Sequence, residues 1–338
     1  MKKMVSFFGD RSDVFVYLNQ KAERYAVSRG IEYRWSPQLP YNEEDVIEEL
    51  KHADAGIIDI QPFDESVFSQ IKDRSKLLVR FGVGYDQVDL EAAANNGIAI
   101  ARTTGANTTA VAEMALMLML TARRRFPKYE ECITKGVWNK EVGHEVIGST
   151  VGIVGFGVIG QRLAKLLKGF DCNILVYDPC PQKKALDEAG AEATTLEALF
   201  QKADVISIHA PYCKETHHMI NESLLLEMKS NAVLINTARG NLVDEDALYK
   251  ALAEGVIAAA GFDVFAVEPL PMESPLRTLD NMIITPHVSS QTVESLWNIY
   301  KTAIDIAADF FAGKNSRHIL NPEYRQFGSK EIKKEECV

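Results

Sequence analysis

The segment Val151-Gly152-Ile153-Val154-Gly155-Phe156-Gly157-Val158-Ile159-Gly160 decides the fold of this chain. It joins a short apolar run to the pattern GxGxxG, and a helix-forming run over 161–168 follows. A second apolar run then ends in Tyr177-Asp178, which puts an acid 18 residues after Gly160. GxGxxG alone also occurs in purely structural glycine turns. With a strand, a helix and an acid in this order, it predicts a dinucleotide-binding βαβ unit.

Each residue of the motif has a task in such a site. Gly155 permits the tight turn from strand to helix, Gly157 leaves room for the pyrophosphate, and Gly160 lets the helix pack on the strand. The helix N-terminus offers free N–H groups to the anion. Asp178 is predicted to accept hydrogen bonds from both hydroxyls of the adenine ribose and to repel a 2′-phosphate. The sequence therefore favours NAD over NADP as the cofactor.

Outward from this motif, short apolar runs alternate with segments of helical period. Such alternation predicts an α/β fold with parallel sheets covered by helices on both faces. The predicted strands are 5–8, 55–60, 76–81, 98–101, 151–154, 173–177, 204–209, 232–236, 258–262 and 282–284.

The length of 338 residues suits two domains. Two long helix candidates, the Met-rich segment 108–124 and the amphipathic segment 293–311, could carry the chain out of the first domain and back. We therefore predict a discontinuous substrate domain of residues 1–106 and 299–338, and an NAD-binding domain of residues 107–298. The Lys/Glu-rich tail 329–336 is expected to be a frayed terminus.

Composition excludes several functional classes. No apolar run approaches the ~18 residues of a membrane span, and the net charge of −10 disfavours a nucleic-acid partner. Five cysteines without CxxC spacing argue against a disulfide framework or a metal site. The three arginines 123–125 are interpreted as a solvated helix end. No apolar stretch follows the basic start as in a signal peptide, so a cytoplasmic protein is expected.

Polar residues follow three more predicted strands. Arg239 follows strand 232–236, Glu268 follows 258–262, and His287 follows 282–284. Ligands of open parallel sheets bind at the carboxyl ends of the strands, so these residues are expected to face one crevice. Arg239 can bind a carboxylate, His287 can exchange a hydroxyl proton, and Glu268 can orient the imidazole and stabilise its charged form. Singly, each is more often a turn, loop or surface residue; together they suit oxidation of a 2-hydroxy acid.

Other polar residues near these strands leave alternatives open. Asp263 is either a helix cap or a group that holds the nicotinamide end of the cofactor. The three histidines His209, His217 and His218 lack a convincing set of metal partners, so no metal site is predicted. We interpret them as structural or cofactor-adjacent residues.

The ordered set of motifs resembles the NAD-dependent D-isomer-specific 2-hydroxyacid dehydrogenases. Besides the residues above, segments 80–86, 107–113, 209–216 and 228–240 match, and the resemblance covers about residues 50–315. It implies a Rossmann-type doubly wound domain, a flavodoxin-like α/β substrate domain and a cleft between them. It also implies a small 2-oxo or 2-hydroxy acid substrate and a homodimer that pairs through the nucleotide-binding domain.

The resemblance also assigns roles to residues. It implies that Arg239 binds the substrate, that Glu268 supports the proton donor and that His287 is the acid/base. Val83 and Gly84 would offer backbone N–H groups to the substrate carboxylate, with Asn107 nearby. The implied cofactor contacts, besides the three glycines, are Val158, Ile159, Asp178, Ala210, Thr216, Thr237, Ala238 and Asp263.

Departures from the family pattern narrow the substrate without naming it. Formate-oxidising relatives have glutamine at the position of Glu268, which argues against formate. Phosphoglycerate-type members often have Arg-Ser where this chain has Asp59, an acid poorly placed to receive a phosphate. The L-lactate dehydrogenases are disfavoured because their glycine motif lies much nearer the N-terminus. A competing class is an NAD(H)-sensing binding protein, since transcriptional corepressors of the same fold can retain Arg239, Glu268 and His287.

Overall fold

The computed structural model describes residues 1–328, which form two compact units. The first unit contains Met1–Asn107 and the described residues from Thr292 onward, and the second contains Thr108–Gln291. The predicted second boundary at 298/299 falls inside a helix, Val293–Phe311, which belongs entirely to the first unit. Its residues from Leu296 to Ala307 share one core with the first sheet, so the boundary lies before the helix. The predicted frayed tail 329–336 lies outside the described residues.

Both units are built on parallel sheets, so the fold class is α/β. The first sheet has the order β2-β1-β3-β4-β5, and the second has the order β12-β11-β10-β9-β6-β7-β8. The strands are β1 (Lys2–Ser6), β2 (Ile31–Trp35), β3 (Ala55–Ile58), β4 (Leu77–Arg80), β5 (Ala99–Arg102), β6 (Thr150–Val154), β7 (Asn173–Tyr177), β8 (Ala191–Ala193), β9 (Val205–Ile208), β10 (Val233–Asn236), β11 (Ala259–Phe262) and β12 (Met282–Ile284). The first order is that of flavodoxin-like sheets, and the second reverses direction at β6.

Helices cover the sheets, and polar residues fix where many of them begin. Asn42, Asp64, Asp89, Thr195 and Asn221 each accept a backbone N–H from the first turn of the helix that follows. The α-helices are α1 (Asp13–Ser28), α2 (Glu43–Lys51), α3 (Glu65–Ile71), α4 (Leu90–Asn95), α5 (Thr108–Arg123), α6 (Phe126–Thr134), α7 (Val158–Leu167), α8 (Lys183–Ala189), α9 (Leu196–Lys202), α10 (Glu222–Leu226), α11 (Glu245–Ala253), α12 (Val293–Phe311) and α13 (Tyr324–Gly328). Within residues 1–328, none of the helices has the length and apolar character needed to cross a membrane.

The two strands that are not among the predicted ones, β2 and β8, both lie at sheet edges. β2 alternates buried Ile31 and Tyr33 with exposed Glu32 and Arg34, so it lacks the continuous apolar run of a central strand. β8 has only three residues and is largely exposed. Edge strands bury one face or less, so their sequences carry a weaker hydrophobic signal.

The prediction that arginines 123–125 form a solvated helix end is wrong for Arg123. Its side chain is buried, and its guanidinium donates to the carbonyls of Asn231 and Glu145, at 3.0 and 3.1 Å. Burial lowers the pKa of Arg123, and the nearby charge of Asp204 opposes this shift. Arg123 therefore ties α5 to the loops before β6 and β10.

The end of the described chain completes the first sheet at its β5 edge. The N–H of Arg102 donates to the His318 carbonyl, and the N–H of Leu320 donates to the Ile100 carbonyl. The buried side chain of Asn321 accepts from the Ile100 N–H at 2.8 Å and donates to the Ile98 carbonyl at 2.9 Å. This edge therefore depends on residues more than 200 positions away in the sequence.

Replacing Asn321 with alanine tests this attachment. The change leaves two buried backbone groups without their partner, so we expect the free energy of unfolding of the first unit to fall by roughly 2–4 kcal/mol. Urea unfolding followed by tryptophan fluorescence measures it, because Trp35 and Trp297 both lie in this unit. The control is Asn315→Ala at an exposed position, for which a loss below about 0.5 kcal/mol is expected. Equal losses in the two variants would contradict the role given to Asn321.

Candidate active site

The glycine motif forms the connection between β6 and α7, where the second sheet reverses direction. Gly155 has φ +92°, and a Cβ there would lie 2.6 Å from the Ala210 nitrogen. A Cβ on Gly160 would lie 2.4 Å from the Gly155 carbonyl oxygen. A Cβ on Gly157, the N-cap of α7, would instead project into open space. The loop is thus packed against the protein at Gly155 and Gly160 and open at Gly157, an arrangement that fits a pyrophosphate at the helix N-terminus.

Asp178 follows β7 and also holds the glycine loop in place. One carboxylate oxygen accepts the Phe156 N–H at 2.8 Å, and the other accepts the Cys180 N–H at 2.9 Å. Each carboxylate oxygen has two lone pairs, so Asp178 keeps acceptor capacity for ribose hydroxyls. Its role is therefore partly structural, beyond the predicted contact with the ribose.

The connection after β9 lies next to the glycine loop. The His209 N–H donates to the Val154 carbonyl at 2.7 Å, and the His209 ring contacts the Ser207 hydroxyl at 2.9 Å. Burial lowers the pKa of His209 to about 4, so this ring is neutral at physiological pH. Thr216 accepts the Cys213 N–H and donates to the Pro211 carbonyl, which closes the short turn that carries it.

After β10 the chain turns sharply and presents Thr237, Ala238 and Arg239. The buried side chain of Asn236 shapes this turn by accepting the Ala238 N–H and donating to the Arg239 carbonyl. Within residues 1–328, the buried hydroxyl of Thr237 has no hydrogen-bond partner. Such an orphaned polar atom at a strand end fits a site that a polar cofactor completes.

Glu268 and His287 form a short polar contact in the candidate site. His287 Nδ1 lies 2.7 Å from one carboxylate oxygen of Glu268, and the other accepts the Phe265 N–H at 2.9 Å. Burial raises the pKa of Glu268, but the hydrogen bond and charge of His287, the Phe265 N–H and the charge of Arg239 outweigh it. The pKa of Glu268 therefore lies below its ordinary value. The structure thus brings together the three residues that follow β10, β11 and β12.

Asp263, at the end of β11, holds the turn that carries His287. It is fully buried, and its carboxylate accepts hydrogen bonds from the Thr285 hydroxyl and from the N–H groups of Val288 and Ser289. The Ser289 hydroxyl is a fourth donor. A contact between this carboxylate and the cofactor would compete with these bonds, so the cofactor role of Asp263 stays a prediction.

Val83, Gly84 and Asn107 belong to the first unit. Val83 and Gly84 are half-buried in the loop after β4, where the Gly82 N–H donates to the Thr103 hydroxyl at 3.0 Å. Asn107 ends the neighbouring connection after β5. In the described residues its side-chain oxygen is buried without a hydrogen-bond partner. These three residues therefore lie at the carboxyl ends of two adjacent strands.

Sequence reasoning missed two groups around Glu268. The Glu245 carboxylate accepts the N–H of Ala266 at 2.7 Å. Gly240 lies under the same turn, since a Cβ there would be 1.9 Å from the Phe265 carbonyl carbon. The glycine after Arg239 was a visible signal, but nothing in the sequence links Glu245 to a residue 21 positions away. Within residues 1–328, no group of three or more His, Cys, Asp or Glu residues is arranged to hold a metal ion.

The chain is similar to several known proteins. Residues 116–289 match the family model for the NAD binding domain of D-isomer specific 2-hydroxyacid dehydrogenases. A glyoxylate reductase of Thermococcus litoralis is 40% identical over 287 residues, which cover 82% of this chain and 86% of that protein. A D-3-phosphoglycerate dehydrogenase of Archaeoglobus fulgidus is 32% identical over 306 residues, which cover 90% of this chain and 58% of that longer protein.

A solved structure shows the same fold with its cofactor. The NAD-dependent formate dehydrogenase of Staphylococcus aureus in complex with NAD has a TM-score of 0.79 and 29% sequence identity, with 95% of this chain and 99% of that chain covered. Together with the matching NAD binding domain, it supports NAD as the cofactor. The chain therefore belongs to the D-isomer specific 2-hydroxyacid dehydrogenase family and is an NAD-dependent oxidoreductase that acts on CH–OH donors.

Proposed function

We propose that this protein reduces small, unphosphorylated 2-oxo acids through a proton relay of His287 and Glu268, with Arg239 as the anchor of the substrate. The observation that carries the proposal is the 2.7 Å contact between His287 Nδ1 and the Glu268 carboxylate. When bound, NADH supplies the hydride to carbon C2 of the substrate. Because Nδ1 is held by Glu268, Nε2 is the ring nitrogen that gives a proton to the carbonyl oxygen. The negative charge of Glu268 stabilises the imidazolium that makes this transfer possible.

Arg239 has the chemistry and the position of a carboxylate anchor. Its guanidinium offers a planar fork of donors that matches the carboxylate and the carbonyl oxygen of a 2-oxo acid. One nitrogen donates to the Ala238 carbonyl at 2.6 Å, which fixes the guanidinium on its own turn. Its charge also acts on Glu268, so the anchor and the relay occupy one region of the second unit. Val83, Gly84 and Asn107 are proposed as further contacts to the substrate.

The first unit supports a substrate without a phosphate. Asp59 follows β3, and its carboxylate lies 3.6 Å from the guanidinium of the buried Arg80 at the end of β4. The loop with Val83 and Gly84 starts beside it, since the Phe81 N–H donates to the Ile58 carbonyl at 2.8 Å. A dianionic phosphate at this edge would have to compete with the Asp59 carboxylate for the guanidinium of Arg80. This favours an unphosphorylated substrate such as glyoxylate, which gives the Thermococcus reductase its name, over a phosphoglycerate.

The alternative of an NAD(H)-sensing binding protein is less well supported. The His–Glu pair and the arginine do not separate the two classes, because sensing proteins of this fold can retain them. The similar proteins described above are named as reductases and dehydrogenases. We therefore place the enzyme first.

We also propose that the protein pairs as a homodimer through its second unit. Residues 117–147 expose large apolar side chains, among them Trp138 and Val142, each 84% exposed. The others are Met117, Leu120, Phe126, Ile133, Val137 and Ile147. Exposed apolar side chains concentrated in one stretch are typical of a surface that a partner covers. A second copy of this chain is the partner we propose.

The relay is tested with NADH and a panel that contains glyoxylate, hydroxypyruvate, pyruvate and phosphohydroxypyruvate. His287→Ala should lower kcat/KM on the order of 10²–10⁴-fold, because the proton donor is lost. Glu268→Gln keeps the shape but removes the charge that stabilises the imidazolium. We expect the falling limb of the pH profile for reduction to move down by about one pH unit.

Glu273→Gln is the matched control, an exposed glutamate near the same loop, and its profile should equal that of the wild type. Full activity of His287→Ala would exclude the relay. A wild-type protein that reduces no member of the panel would exclude the proposed function.

Cofactor choice depends on Asp178. The wild type should prefer NADH to NADPH on the order of 100-fold in kcat/KM, since a carboxylate would face the added phosphate. Asp178→Ala should lower both efficiencies, because the glycine loop loses the hydrogen bond of the Phe156 N–H, and should narrow the NADH/NADPH ratio at least tenfold. Asp187→Ala, at an exposed position on α8, should leave the ratio unchanged. Equal efficiencies of the wild type with both cofactors would exclude this role of Asp178.

The dimer is tested by placing a charge within the apolar stretch. Trp138→Lys should give a monomer at micromolar concentration in sedimentation velocity, whereas the wild type should sediment as a dimer. Leu39→Lys, which alters an exposed apolar side chain of the first unit, should remain dimeric. A monomeric wild type would exclude the proposal.

A further inference from the structure

Two carboxylates bind neighbouring N–H groups of the short turn 265–268 after β11. Glu268 accepts the Phe265 N–H at 2.9 Å from within the turn. Glu245, the first residue of α11, accepts the next N–H, that of Ala266, at 2.7 Å. The charge of Glu268 acts on Glu245, so the two carboxylates lie within electrostatic reach of each other. Like charges repel, so this arrangement costs free energy unless other contacts offset it.

The contact of Glu245 also docks the turn on the segment that carries Arg239. Glu245 lies six residues after Arg239 in the chain. Between them, Gly240 lies against the same turn, as a Cβ there would be 2.2 Å from the Ala266 nitrogen. The turn with Glu268 is therefore held at two points by the segment 239–245. The positions of Glu268 and Arg239 are coupled through these contacts.

Charged groups from three elements face Glu245. Burial raises the pKa of Glu245, and Asp246 on the same helix and Glu268 on the turn raise it further. The Ala266 N–H and His218, from the loop before α10, lower it. The net pKa of Glu245 lies above its ordinary value. On the relay itself, His287 and Arg239 act on Glu268, and Asp263 holds the turn that carries His287.

We propose that Glu245 is a positioning residue for the His287–Glu268 relay. Glu245 holds the turn of Glu268 through the Ala266 N–H and places a second negative charge near Glu268. The second negative charge favours the positively charged imidazolium over the neutral ring. Reduction of a 2-oxo acid consumes the imidazolium proton, so Glu245 widens the pH range of reduction on the alkaline side. This inference rests on the proposed function, because it assigns a new residue to the same relay.

Three variants separate the charge of Glu245 from its hydrogen bond. Glu245→Gln keeps an acceptor for the Ala266 N–H but removes the charge. The falling limb of kcat/KM for 2-oxo acid reduction should move to lower pH by roughly 0.3–0.8 unit, with a maximal rate within about threefold of the wild type. Glu245→Asp keeps the charge on a shorter side chain, so its falling limb should stay close to that of the wild type while kcat falls. Glu245→Ala loses both contributions and should show both effects.

A control and a second measurement keep the test independent of folding. Glu254→Gln alters an exposed glutamate at the other end of α11 and should leave the profile unchanged. The titration of the His287 ring signal, followed by NMR without substrate and assigned with His287→Ala, should shift in the same direction in Glu245→Gln. KM for NADH should change little, because Glu245 does not belong to the glycine loop.

The outcomes distinguish this inference from the proposed function. The relay stands and the role of Glu245 is refuted if Glu268→Gln shifts the pH profile of kcat/KM but the profile of Glu245→Gln equals that of the wild type. A shift in Glu254→Gln equal to that in Glu245→Gln also refutes it, because the effect is then general to acids on this helix. If the wild type reduces no 2-oxo acid, the proposed function fails. The His287 titration then decides whether Glu245 acts on the His–Glu pair.

Discussion

The geometry of the candidate active site depends on one buried carboxylate, that of Asp263. A carboxylate shielded from water must be surrounded by hydrogen-bond donors, and the turn 285–289 supplies them. His287 lies inside this turn, with its own N–H bound to the Asp263 carbonyl and a backbone φ of +53°. The unusual backbone conformation of His287 is thus stabilised by a group behind it. The contact with Glu268 follows from where that turn places the imidazole.

The sequence was most informative where a residue's role is local or where burial is complete. β9 is apolar apart from Ser207 because helices cover both of its faces, so the run 204–209 was recognised as a strand. The glycine motif was recognised because its turn needs a positive φ at Gly155 and close packing at Gly160. Arg239, Glu268 and His287 each follow a predicted strand, and parallel topology brings such positions to one edge.

What the sequence could not predict are contacts between distant segments and residues with two roles. Glu245 reads as an ordinary acid in the first turn of a helix, and only the fold brings it to the Ala266 N–H. Arg123 looks like part of a solvated basic cluster, but its guanidinium is buried and donates to two carbonyls from distant loops. Asp178 is predicted to accept hydrogen bonds from the ribose, and it also accepts one from the glycine loop in front of it. In each case the partner is a backbone group, whose position no residue pattern encodes.

The way the first unit is closed has a consequence for biosynthesis. Its sheet is formed by the first 107 residues, but α12 packs on α1 and β4, and Asn321 completes the β5 edge. The N-terminal strands therefore leave the ribosome long before the residues that cover them. Residues 108–291 are contiguous and can fold while translation continues. The part of the protein made first is thus finished last, and its exposed apolar surface is a natural target for chaperones during that interval.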